Sequence, residues 1–130
     1  MLMSSRPARI LLAIIEQGGY PNFAPLYEQA GFEVITECSV RRAITLLKGI
    51  KPSVIVAEFN FQSDFRDRTS SLESLLATVQ RIPGVRVVVF YEKEYAHQLE
   101  KLTARFPLHA TIAYPIDEDR LAAAVSGRIA

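Results

Sequence analysis

The chain has 130 residues, 49% hydrophobic and 22% charged, and its 15 basic and 14 acidic residues leave a formal net charge of +1. That length holds one domain (residues 1–130) whose core can stand without disulfide or metal staples, and the composition excludes a disordered chain. The near-neutral balance excludes bulk electrostatic binding to nucleic acid or an anionic membrane surface.

Residues 1–8 read as a loose N-terminal extension. The longest apolar run, Ile10 to Ile15, falls well short of the roughly 20 residues of a spanning helix. Arg6 and Arg9 before it imitate a signal peptide, but Glu16 ends the run with no small-residue cleavage site. No membrane partner is expected. The single cysteine, Cys38, cannot form an internal disulfide, which points to a reducing, cytoplasmic setting.

The Ile10–Ile15 run is the first predicted strand. Gly18-Gly19 follows as a tight turn. It lacks the spacing of a phosphate-cradling loop. Phe23, Leu26, Tyr27 and Ala30 then recur at helical spacing, with Asn22 as candidate N-cap and Gly31 as stop. Phe32-Glu33-Val34-Ile35-Thr36 is a second strand. Val40, Ala43, Ile44 and Leu47 mark a second helix opened by Ser39 and closed by Gly49. Its Arg41-Arg42 pair reads as solvated surface.

Val54-Ile55-Val56-Ala57 follows Pro52 and leads into Glu58 and Phe59. The connection Asn60–Thr69 is longer than the usual βα loop of about 2–6 residues. It alternates aromatics with charges, and Phe61, Phe65, Arg66 and Arg68 are candidates for a partner loop, because aromatic and Arg residues are enriched at interfaces. Leu72, Leu75, Leu76 and Val79 form the third helix, with Ser70 and Glu73 at capping-box spacing and Pro83-Gly84 after it. Val85–Tyr91 is the fourth strand. Leu99, Leu102 and Phe106 mark the fourth helix, ended by Pro107. Ala110–Ala113 is the fifth strand, and Asp117 opens a fifth helix carrying Leu121, Ala124 and Val125.

The order is therefore βαβαβαβαβα, with short strands apolar on both faces. It implies a three-layer α/β, flavodoxin-like fold with a five-stranded parallel sheet in order 2-1-3-4-5. Eight barrel units would not fit in this length. In such a sheet a site forms beyond the carboxyl ends of the strands, where strand order reverses. The sequence places Glu16, Glu58-Phe59-Asn60, Phe90-Tyr91-Glu92 and Tyr114-Pro115 there. His97 and His109 have no metal-ligand spacing. Cys38 has no neighbouring base and reads as a buried or neutral thiol rather than a nucleophile. No nucleophile–base pair or helix-turn-helix is visible, so neither an enzyme nor a DNA reader is expected.

Over nearly its whole length the chain resembles the receiver domain of two-component response regulators. Lys51-Pro52-Ser53-Val54-Ile55-Val56-Ala57-Glu58 is similar to that family's third strand, which ends on the phosphoacceptor aspartate. Tyr114-Pro115 falls where the family has lysine-proline. The resemblance implies an acceptor aspartate, Mg²⁺ held by an acidic pair after the first strand, a small hydroxyl after the fourth and a lysine after the fifth. Here the acceptor position is Glu58, one methylene longer than aspartate. Glu16 alone is a remnant of the acidic pair. Phe90 or Tyr91 stands at the hydroxyl position, and Tyr114 has no positive charge. Tyr91, Tyr114 and Pro115 are thus the switch-like positions of a degenerate, pseudo-receiver domain.

The expectation is a stand-alone signalling module without cofactor that has lost aspartyl phosphorylation and acts through a protein partner. Glu58 reads either as a solvated strand-end residue or as a charge paired with Lys93, Arg66 or Arg68. The resemblance implies an association face, also for a homodimer, from parts of Ala96–Phe106, Ala110–Tyr114 and Leu121–Ile129, where Ala122-Ala123-Ala124 permits close helix approach, although Ala124 equally suits the core. Two alternatives stand beside this. One is a nucleotide- or flavin-type small-molecule binder using the Gly18-Gly19 and Tyr91/Tyr114 rim. The other is an atypical receiver still phosphorylated or metal-binding.

Overall fold

The computed structural model describes residues 9–16, 19–60 and 72–126. Ten elements alternate in chain order: β1 (Arg9–Ile14), α1 (Ala24–Gln29), β2 (Phe32–Glu37), α2 (Val40–Leu46), β3 (Val54–Glu58), α3 (Leu72–Val79), β4 (Arg86–Tyr91), α4 (Ala96–Thr103), β5 (Ala110–Ala113) and α5 (Glu118–Val125). A short 3-10 turn, Lys93–Tyr95, leads into α4. All strand pairs are parallel, in the order β2-β1-β3-β4-β5 expected from the sequence.

The helix ends follow their local chemistry. Ser39 accepts a hydrogen bond from the Arg42 N–H at 3.1 Å and opens α2. Asp117 accepts from the N–H groups of Asp119 and Arg120 and opens α5, with Glu118 and Asp119 in the first turn suiting the helix dipole. Asn22 accepts from the Ala24 N–H at 3.0 Å, one residue before the helix start proper. Gly31 and Gly84 have φ of 96° and 85°, a backbone region that glycine enters at little cost. The expected Ser70–Glu73 box lies partly outside the described residues. Glu73 instead pairs with Arg105 at 2.8 Å, tying α3 to the end of α4.

Strand periodicity builds two cores, one on each face of the sheet. Leu12, Ile14, Ile55, Ala57, Val87 and Val89 pack under α2, α3 and α4, together with Leu75, Leu76, Leu99 and Leu102. Leu11, Ala13, Val54, Val56, Val88, Phe90 and Ile112 pack under α1 and α5, against Phe23, Tyr27, Leu121 and Val125. The three inner strands are mostly buried, whereas in edge strand β2 only Phe32 is buried and the other residues are half-buried or exposed. Cys38, just past β2, is exposed rather than buried. It follows edge strand β2, and its N–H donates to the Glu37 carboxylate at 2.9 Å.

Candidate functional site

The same alternation decides which chemistry-bearing side chains meet at the carboxyl ends of the strands. Glu58 continues the Val54, Val56 series and belongs to the α1/α5 face. Its register partner is Phe90, and the Phe59 N–H donates to the Phe90 carbonyl at 2.8 Å, fixing both strand ends at one level. Tyr114 continues from Ile112 on that same face, its N–H held by the Tyr91 carbonyl at 2.8 Å. The Tyr114–Pro115 peptide is cis. Glu16 continues Leu12 and Ile14, on the opposite face. It opens into a separate cleft of about 490 Å³ with Ser39, Arg41, Thr45 and Ser74. Tyr91 packs on that second face as well, against the α2–α3–α4 core.

The Glu58 carboxylate is a buried acid, only 5% exposed. The Asn60 side-chain amide donates to it at 3.3 Å. Among the described residues the walls around it are mostly apolar: Ala13, Ile15, Tyr20, Phe23, Val56 and Phe90, with the polar Asn22 and Thr36, line about 30 Å³, room for little more than one water molecule. Lys93 is exposed and makes no ion pair with Glu58, so that part of the expected pairing is not formed. The exposed position of Lys93 on the 3-10 turn, facing water, accounts for this. Arg66 and Arg68 lie outside the described residues, as do Gly18, Phe61 and Phe65.

Tyr20 organises this end of the molecule. Its ring lies 5.2 Å from Phe90 and meets Tyr114 edge-on at 5.7 Å, while Phe23 meets Phe90 at 5.8 Å. Tilted and edge-to-face geometries are those aromatic quadrupoles favour, each worth about 0.5–1.5 kcal/mol beyond area burial. Burial first, then the charges of Glu92 and Glu58, push the Tyr20 phenol up to about 12, so it stays neutral in any ordinary buffer. Sequence reasoning missed Tyr20. The available signal was an aromatic placed directly after Gly18-Gly19 and fixed by Pro21, on the rim where ligands bind in open α/β sheets.

No family model and no curated protein matches the chain. Solved structures do. A response regulator receiver protein from Sinorhizobium medicae superposes with a TM-score of 0.72 at 22% identity, covering 92% of this chain and 93% of its own. The signal receiver domain of a modulated diguanylate cyclase from Desulfovibrio desulfuricans gives 0.72 at 10% identity, over 95% and 94%. A Burkholderia pseudomallei response regulator, which carries a phosphorylated aspartic acid and a calcium ion, gives 0.62 at 20% identity, over 90% and 66%. This chain has the receiver fold.

A receiver fold implies a hard divalent cation beside the acceptor, and the donor set among the described residues does not fit one. Such ions take about six oxygen ligands, several of them carboxylates converging on one point. Glu58 faces aromatic rings, Glu16 opens on the other face of the sheet, and among the described residues no group of three acidic, His or Cys side chains converges. No helix among them is long and apolar enough to cross a membrane.

Proposed function

We propose that this is a cytoplasmic pseudo-receiver: a signalling module that does not take a phosphoryl group on Glu58 and works by binding another protein. One observation carries the reading. At the end of β3 the receiver fold presents a glutamate 5% exposed and walled by Tyr20, Phe23 and Phe90. An in-line attack needs an open approach and cations to neutralise the transferred oxygens. Tyr114 supplies no cation where the resemblance expects lysine. The longer side chain also displaces the nucleophile, and about 1 Å of misplacement already costs roughly 100-fold.

The proposed association face comprises α4, β5 and α5, for a partner or a second copy. Ala122 and Ala123 belong to its far side, since they line a groove with Leu26, Gln29 and Ala30 of the α1 segment. The Asn60–Thr69 connection, with Phe61, Phe65, Arg66 and Arg68, is proposed as an additional partner contact.

Beryllofluoride with Mg²⁺, a mimic of the phosphoryl group, tests the reading in amide spectra of the labelled protein. The expected result is no change at Glu58, Phe90, Tyr91 or Tyr114. Saturable shifts centred on those residues would overturn it.

A further inference from the structure

Above the sealed acid lies an open recess of about 280 Å³, lined by Gly19, Tyr20, Asn60, Glu92 and Tyr114. We propose that this recess receives an arginine side chain from the protein partner. The inference deepens the interaction-module reading and rests on it.

Four observations support one occupant. Tyr20 and Tyr114 meet at an interplanar angle of 65° and so form two walls of a corner, and the negative faces of such rings attract cations. Tyr114 is 47% exposed, the large hydrophobic side chain most open to solvent among the described residues. Glu92 is exposed and makes no ion pair among the described residues, and no basic side chain among them lines the recess. The volume lies just below the roughly 300–1,000 Å³ of small-molecule sites, which favours a single side chain over a cofactor. Guanidinium suits it better than ammonium, because it is planar, stacks on an aromatic face and meets a carboxylate with two parallel N–H groups.

The test is an amide-shift titration of the full chain with N-acetyl-arginine methylamide, with the lysine and norleucine analogues and tetramethylammonium as comparison probes. Saturable shifts at Tyr20, Asn60, Glu92 and Tyr114 are expected with the arginine probe, weaker with lysine and absent with norleucine. Glu92→Gln and Tyr114→Ala, both at exposed positions, should each weaken arginine binding about tenfold, the order of a lost cation–π or charge-assisted contact. A single cooperative thermal unfolding transition in each variant, lowered by at most a few degrees in Tyr114→Ala for the lost ring contact, would show that the fold is intact. No arginine shifts, equal shifts with norleucine, or variants that bind as well as wild type would overturn the recess. Tighter binding of tetramethylammonium than of arginine would overturn the assignment to a partner's arginine. The probe titration is independent of the beryllofluoride experiment, so failure of the recess and failure of the pseudo-receiver reading are told apart.

Discussion

Tyr20 and Glu58 share one corner, and each constrains what the other can do. The tyrosine ring closes over the acid with Phe90, while burial, and after it the carboxylates, raise the cost of ionising the phenol. A phenol whose native pKa is near 12, against about 10 unfolded, binds its proton more tightly in the folded state. Its contribution to stability is therefore complete below pH about 10 and is lost as pH rises toward 12. Chemical unfolding across this range should show stability falling more steeply in wild type than in Tyr20→Phe, which has no proton to lose. Equal slopes would contradict the buried-phenol account. At this scale the sequence named Glu58, Glu16 and Tyr114 as the altered positions. It could not show that Glu16 and Tyr91 lie on the opposite face from Glu58 and Tyr114, because that depends on the pleat carried through the strand ends, where patterning is weakest.

Caps and strand ends hold the elements in place. Ser39, Asp117 and the glycine stops were legible because capping is local chemistry, read within three residues. Asp117→Ala should cost about 1 kcal/mol in urea unfolding. Longer-range ties were not legible. Arg86, first residue of β4, donates from Nη2 to the Val125 carbonyl at 2.7 Å and so anchors the end of α5 to the sheet. Nothing in the sequence marks a pair 39 residues apart. Arg86→Met keeps the apolar stem and removes that charge-assisted bond, so a loss of about 1.5–3 kcal/mol is expected from the same measurement. An unchanged midpoint would mean that the contact contributes nothing to docking α5. The Glu73–Arg105 pair is also long-range, but Arg105 is 61% exposed, and its removal should cost less than about 1 kcal/mol.

As a whole the molecule is a sheet with a core on each face, and this was the most legible part of the sequence. Alternation of short β-branched runs with helical spacings leaves few topologies once crossovers are right-handed. Leu121 of α5 is fully buried on the α1/α5 face. Leu121→Ala should destabilise the domain by about 2–5 kcal/mol, which a lowered urea midpoint would report. The site was less legible than the scaffold because its closure depends on Tyr20 reaching across from a turn to β4 and β5.

The central proposal is that the receiver scaffold persists while the Glu58 pocket, lined among the described residues largely by aromatic and aliphatic side chains, does not take a phosphoryl group. Intact-mass spectrometry of the protein and its Glu58→Asp variant, after incubation with a small phosphodonor and Mg²⁺, addresses it most directly. The account predicts that both chains keep their unmodified mass. The gain of one phosphoryl group on either would contradict it.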